Sequence, residues 1–352
     1  RIAQEDAARL ARHRCCQTTA QAQWLTAAYR NTRIRTRGSV LLEAPEPTGP
    51  VQHFFPPAHN GSALGPTTAE RMRRYTTDAL PLALAASRLA LRRSRTAAAE
   101  ITHLITGSCT GFQAPGGDIQ LMEALGLPRT TQRTHIGFMG CHAAINALRV
   151  AQGLVAGSPA ARVLICAVEL CSLHFQYGWH PGRVVANALF ADGAGALVGR
   201  LAPGRSSAWQ VVATGSCQLP NSVDEMSWAI GDHGFTMELS PRVPEIIRVS
   251  LRPWLAKWLR SEDVRLEAIR SWAVHPGGPR ILDAITEALA LPSRTMRLSR
   301  NILGTYGNMS SATLLFILER LHRQGAPGPC LALGFGPGVV AERADEHAQE
   351  RL

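Results

Sequence analysis

From Thr67 to Arg92 apolar side chains return at helical spacing, and the same period recurs over Asp118–Leu125, Cys141–Leu154, Val243–Leu259, Arg280–Ala290 and Asn308–Gln324. Between these stretches lie short apolar runs rich in Val, Ile and Leu: Ile101–Thr106, Arg133–Phe138, Arg162–Val168, Ala194–Val198, Trp209–Thr214, Ala268–Val274 and Cys330–Phe335. Their length and flanking turn residues predict strands. The chain before about Ala44 reads as helix, residues 45–66 as a Pro- and Gly-rich loop, and the charged tail after Ala341 as solvated and frayed. Strands alternating with helices predict an α/β protein with layered sheets. A composition shift around Leu201–Ser207 marks the expected seam, giving halves at 1–203 and 204–352.

Composition narrows the class. With 45% hydrophobic and 18% charged residues, the 352-residue chain can bury a large core. No apolar run approaches the ~18 residues needed to span a bilayer. The opening residues lack a signal-peptide pattern, so no membrane association and a cytoplasmic location are expected. The chain opens on Arg1 rather than Met, and a few native residues are expected to precede it. The formal charge of +11 is built almost wholly from arginine, Lys257 being the one lysine. That bias, without a zinc-finger, zipper or RNA-binding motif, argues against a nucleic-acid partner and leaves room for an anionic small substrate. None of the eight cysteines forms a CxxC pair, so no metal site is expected.

One cysteine stands apart. In THIGFMGCHAAINALR (134–149) a strand ends at Gly140, Cys141 follows, and a helix begins at once. Gly140 allows a sharp turn. A thiol at a helix N-terminus is favoured as thiolate, and the unpaired N–H groups there can hold an oxyanion. In WAVHPGGP (272–279) a strand delivers His275 into a Pro-Gly-Gly loop, 134 residues after the cysteine. In LGTYGNMSSATLLFIL (303–318) Asn308 precedes a helix, where it could equally serve as an N-cap.

Cys, His and Asn in this order resemble the condensing enzymes of the thiolase superfamily. The segments GCHAAINALR, HPGGPRILDAI, YGNMSSATLLFIL and GFGPG (334–338) are similar to those of chalcone synthase-like, or type III, polyketide synthases. The resemblance spans roughly Thr67–Glu342. It implies a five-layered αβαβα sandwich of two duplicated halves, a homodimer, and acyl-CoA and malonyl-CoA as substrates with no cofactor. It further implies that Cys141 carries the acyl chain, while His275 lowers the thiol's pKa and joins Asn308 in stabilising the enolate left by decarboxylation.

The resemblance also places a cavity. Phe190, in ALFADGAGALV, matches the first gatekeeper phenylalanine, and the second falls on Met237 in GFTMELS. Cys109, Cys171 and His174 stand where plant enzymes often carry threonine, and Ala114 where they carry a methionine at the dimer interface. Trp228, Ser310, Gly336 and Pro337 complete the implied wall. These departures resemble bacterial enzymes that make alkylpyrones, alkylresorcinols or related phenols. The family's basic CoA cluster does not map one-to-one; Arg30, Arg33, Arg35 and Arg37 are nearby candidates for the phosphates. Three alternatives stay open: a ketoacyl synthase III-like enzyme making a single condensation, a papain-like Cys-His-Asn hydrolase, whose spacing the 134 residues also fit, and a non-catalytic acyl-CoA binder.

Overall fold

The computed structural model describes residues 1–43, 51–58, 64–202 and 209–347. The N-terminal stretch is two helices rather than one. A short strand β1 (Ile2–Ala3) leads into α1 (Gln4–Cys15), and α2 (Thr19–Asn31) restarts behind a capping box in which Thr18 and Gln21 satisfy each other's backbone N–H. The first helix ends at an extended Cys16, and the box starts the second. The chain then turns extended through β2 (Thr36–Arg37), which pairs with β1.

Helix α3 (Thr68–Ser94) opens on a second capping box, Thr67 with Glu70. Its residues Tyr75, Ala79, Ala83, Ser87 and Leu91, four apart, form one buried stripe. There follow β3 (His103–Ser108), α4 (Gly117–Leu125), β4 (Gln132–Gly137), α5 (Ala143–Gly157), β5 (Arg162–Leu170), α6 (Pro181–Leu189) and β6 (Asp192–Arg200). The strands form one sheet in the order β4-β3-β5-β6, with β6 antiparallel to β5 and the others parallel. Both β3 and β5 are buried almost throughout, as strands covered on both faces must be.

The remaining elements are β7 (Gln210–Gln218), β8 (Met226–Gly231), β9 (Gly234–Leu239), α7 (Val243–Ser261), β10 (Ser271–Val274), α8 (Pro279–Ala288), α9 (Arg297–Tyr306), α10 (Ala312–Arg323), β11 (Cys330–Gly336) and β12 (Val340–His347). The second sheet runs β10-β11-β12-β7, and β8 and β9 form a separate hairpin. The tail expected to fray therefore pairs as β12, with β11 as far as Glu346 and with β7 as far as His347. Two strand edges were open on either side, and backbone hydrogen bonding is indifferent to the charge of the side chains.

Five layers result. Helices α5 and α10 lie between the sheets, packing Ile145, Leu148, Leu314 and Ile317 against Ile105, Ile165, Ala273 and Ala332. Outside the first sheet, α3 and α4 cover Leu104, Leu164 and Cys166. Beyond the second, α7 and α8 cover Trp272, Val274, Leu331 and Leu333. Neighbouring residues such as Leu164 and Ile165 thus face opposite cores, the period of two that defines a strand. A separate apolar cluster joins α1 and α2 to α6. The proposed seam at 203/204 lies outside the described residues.

Leu314 sits at the centre of this stack with no exposed surface. Leu314→Ala should lower the unfolding free energy by about 2–5 kcal/mol, read as a fall in the urea midpoint; a loss below about 1 kcal/mol would show that the middle layer is not close-packed.

Candidate active site

Cys141 lies in a single 3-10 turn, Gly140–His142, between β4 and α5. Gly140 has φ +68°, and a Cβ there would come within 2.5 Å of Pro337. Glycine is thus required both by the turn and by the packing of the GFGPG loop. A Cβ on Gly336 would likewise strike the His142 ring. The last residues of β11 therefore press the cysteine turn into place from the other half of the molecule.

Asn308 arrives from the second half as well. Its N–H donates to Leu189 O at 3.0 Å, and its carbonyl accepts from Ala191 N–H at 2.8 Å, clamping it beside Phe190 in an isolated parallel bridge. Asn308 does not cap α10, which begins after Ser311. Instead its Oδ1 accepts from the Ser310 N–H at 2.9 Å, which leaves the carboxamide N–H groups to serve the cavity. Both Asn308 and Ser310, the latter at φ +47°, lie close enough to the Cys141 thiol to favour its ionised form.

His275 ends β10, its N–H bonded to Leu333 O at 2.8 Å. It is 1% exposed, and neither ring nitrogen has a partner among the described residues. Burial, assisted by the nearby His142, pushes its pKa down to about 3, so the ring is neutral. The cysteine does not behave as its position suggested. Burial pushes the Cys141 thiol up to about 12, against the opposing hydrogen bonds of Ser310 and Asn308. The 3-10 turn sets the thiol ahead of α5 itself, and desolvation outweighs what a helix terminus supplies.

Of the implied wall residues, Cys109 and, through it, Trp228 are tied to this turn. Cys109 Sγ accepts from Gly140 N–H at 3.0 Å, and burial raises its pKa well above the ordinary thiol value. Trp228 and Met237 are directly opposed on β8 and β9, and the indole N–H donates to Cys109 O at 2.7 Å. His174 accepts from Phe235 N–H at Nδ1, which puts its proton on Nε2, donating to Thr110 O at 2.7 Å. Held between these bonds and stacked on Phe235 at 4.1 Å, it is kept neutral by burial, with a pKa of about 3. Cys171, His174, Phe190, Trp228 and Met237 line one cavity. Ala114 heads a cis Ala114–Pro115 bond beside a second, more polar pocket.

The arginines divide. Arg30, Arg33 and Arg35 are exposed, Arg35 donating to Thr305 Oγ1 at 2.9 Å. Arg37 turns inward, bonds the carbonyls of Asn187 and Phe190, and lies over the Tyr29 ring.

Glu169 escaped the sequence reading. It has no exposed surface, yet its carboxylate accepts from Cys109 N–H (2.9 Å), Thr110 Oγ1 (2.9 Å) and Ser311 Oγ (2.5 Å). Burial raises its pKa above the usual carboxylate value. The available signal was a lone acid inside the apolar run Val163–Leu170, since charged residues are almost never fully buried unless paired.

Comparison with known proteins decides the family. The N-terminal domain model of chalcone and stilbene synthases matches residues 58–201, and the C-terminal domain model matches 210–344. The chain belongs to the chalcone and stilbene synthase family. This type III polyketide synthase is 34% identical over 288 residues to the α-pyrone synthesis polyketide synthase-like protein Pks18 of Mycobacterium tuberculosis, covering 78% of this chain and 72% of the relative. It is 30% identical to 1,3,6,8-tetrahydroxynaphthalene synthase of Streptomyces peucetius, covering 97% and 88%. Among solved structures, PKS-I of the brown alga Ectocarpus siliculosus superposes with a TM-score of 0.90 at 28% identity, covering 98% and 94%. The Streptomyces coelicolor tetrahydroxynaphthalene synthase superposes with 0.85 at 30%, covering 99% and 96%. The five layers are thus the thiolase-like fold, and the hydrolase alternative falls away. The synthase is an acyltransferase that condenses by decarboxylation. No described helix is long and apolar enough to cross a membrane.

Two buried neutral histidines have a thermodynamic consequence. Unfolded, His275 and His174 take up a proton below pH 6.5; folded, they resist it down to about pH 3. Stability is therefore lost as pH falls through that window, by about 1.4 kcal/mol per pH unit for each histidine. His275→Gln should make the decline shallower by one such increment in urea titrations between pH 6 and 4. An unchanged slope would mean that His275 is protonated in the native enzyme.

Proposed function

We propose that the synthase loads an acyl starter on Cys141, extends it with malonyl units decarboxylated at His275 and Asn308, and cyclises the product to an alkylpyrone, alkylresorcinol or related phenol. The observation that carries the residue roles is the closeness of the Asn308 carboxamide to the Cys141 thiol, with the buried imidazole of His275, which has no partner among the described residues, near His142 of the same turn. Burial favours the protonated Cys141 thiol and the free-base form of His275. The starter's arrival therefore completes the nucleophile. As Sγ attacks the thioester carbonyl its proton passes to His275, and then to the departing CoA thiolate, leaving an acyl-cysteine and free CoA. With its proton on one nitrogen, the ring can next donate to the malonyl thioester oxygen beside the Asn308 N–H groups. Cleavage of the carboxylate as CO₂ puts the electron pair on that oxygen, where both donors stabilise the enolate. Its carbon attacks the acyl-cysteine and releases the Cys141 thiolate, adding two carbons.

The product class is supported by similarity to a relative named for α-pyrone synthesis and by Met237 at the gate. A thioether bends where a phenyl ring would block. The chemistry uses only side chains and the two CoA thioesters, so no metal or cofactor enters the reading. A cytoplasmic homodimer, halves meeting at 203/204, and CoA phosphates received by the exposed Arg30, Arg33 and Arg35 complete it. The family models, ending at 201 and resuming at 210, support that division.

The deciding experiment follows CO₂ release, acyl adducts by intact mass, and products with malonyl-CoA and a series of acyl-CoA starters. Cys141→Ala should show no acyl adduct and a product loss on the order of 10³-fold or more. Asn308→Ala should retain the adduct while CO₂ release falls by roughly 10²–10³-fold. Equal losses in loading and decarboxylation would contradict the division of labour between the two residues.

A further inference from the structure

Behind the cavity wall lies a guanidinium with no exposed surface. Arg71, on the first turn of α3, heads the buried stripe that continues through Tyr75, Ala79 and Ala83, a position where an apolar side chain would serve the packing. Its Nε donates to Pro66 O at 2.8 Å and its Nη1 to Leu173 O and Phe175 O at 2.9 Å each, while its Cζ lies 5.0 Å from the Phe55 ring centre. Every hydrogen bond it makes among the described residues goes to a main-chain carbonyl, and Nη2 makes none. Arginine stays charged in proteins, and burying that charge without a carboxylate partner is strongly unfavourable. Packing alone does not account for the residue.

What it gathers is the backbone on either side of His174. The same guanidinium closes on the turn of the β8–β9 hairpin, where Gly234 has φ +92° and a Cβ would come within 2.3 Å of Arg71 Nη1. Thr68, on the same turn of α3, ties that hairpin as well. Its N–H donates to Asp232 O at 2.7 Å, its hydroxyl donates to Gly231 O, and it accepts from Gly234 N–H at 2.8 Å. From the hairpin, bonds lead inward to the catalytic turn. Phe235 N–H donates to His174 Nδ1 at 2.9 Å, and His174 Nε2 to Thr110 O at 2.7 Å. The Trp228 indole donates to Cys109 O at 2.7 Å, and Gly140 N–H, next to Cys141, to Cys109 Sγ at 3.0 Å. Charge-assisted bonds from a planar fork are strong and directional, so they fix the carbonyls they meet.

Resting on the reading that the acyl chain grows from Cys141 against this wall, we propose that Arg71 is a positioning residue for product selection: from outside the cavity it sets His174 and the hairpin that carries Trp228 and Met237, and so decides which folded form of the growing chain is cyclised. Loosening it admits further conformers of the chain and broadens the product mixture, while the groups that load and decarboxylate stay in place.

The test compares Arg71→Met, which keeps the length of the side chain without its donors, with Thr68→Val, which keeps the shape and removes the hydroxyl that ties the hairpin. Leu91→Ala weakens the same helix at its far end and serves as the control. Each full-length variant receives malonyl-CoA with acetyl-, octanoyl- or hexadecanoyl-CoA, whichever the parent loads best. The Cys141 adduct, CO₂ and products are followed by mass, and folding by the urea midpoint. Arg71→Met and Thr68→Val should lower the ratio of the main product to its shorter and longer congeners by at least about fivefold, with adduct formation within about twofold of the parent's. Leu91→Ala should lower the urea midpoint and leave the ratio unchanged, which separates positioning from stability. Should Arg71→Met fail to fold, Thr68→Val decides alone. Folded variants with the parent's ratio overturn the inference, as does a Leu91→Ala variant that shifts the ratio equally. A parent enzyme with neither Cys141 adduct nor CO₂ release from malonyl-CoA would instead count against the catalytic roles themselves.

Discussion

A carboxylate buried away from water must be surrounded by donors, and the donors that Glu169 finds come from both halves of the chain. Cys109 N–H and Thr110 Oγ1 belong to the loop after β3, and Ser311 Oγ to the loop that carries Asn308. Satisfying one acid therefore holds the cavity wall and the asparagine loop in register with β5. The neighbouring Cys141 and Cys109 both feel its charge, which raises their pKa values further. Structural and chemical tasks are not separable at this residue.

Around that hub the turn that carries the half-buried Cys141 is held in place. Pro337 and Gly336 occupy the space that side chains on neighbouring glycines would need, and Cys109 takes up the Gly140 N–H. Burial and the charge of Glu169 both favour the protonated thiol, against the pull of Ser310 and Asn308.

The wall residues divide into two sides. His174, Phe235 and Trp228 bond and stack into a rigid partition on one side. On the other, the gate is Met237, and the space behind it belongs to α1 and the segment around Phe55. Cys141, His275 and Asn308 sit on strand ends and tight turns inside the layered stack, whereas α1, α2 and α6 form a separate apolar cluster.

Much of this was written in local pattern. The strand–Gly–Cys turn, the strand that delivers His275, and the YGNMSSA loop are each specified by neighbouring residues, because turn geometry and periodicity act over a few positions. The same holds for the long stripes of α3 and α7. Short elements with weak periodicity were not legible: α6, α9 and the β8–β9 hairpin are each ten residues or fewer per element. The charged segment that became β12 was misread because its order comes from two partner strands. Local signals left Asn308 open between a cap and a site residue and favoured a thiolate at Cys141, whereas the backbone clamp of Asn308 on Leu189 and Ala191 and the desolvation of Cys141 are set by groups distant in sequence. The one-dimensional chain thus determined which chemical groups are present and how each is turned locally. Only the folding of the two sheets around α5 and α10 decided their solvation, their partners and the shape of the space before them, because dielectric environment and cavity volume are properties of everything packed nearby.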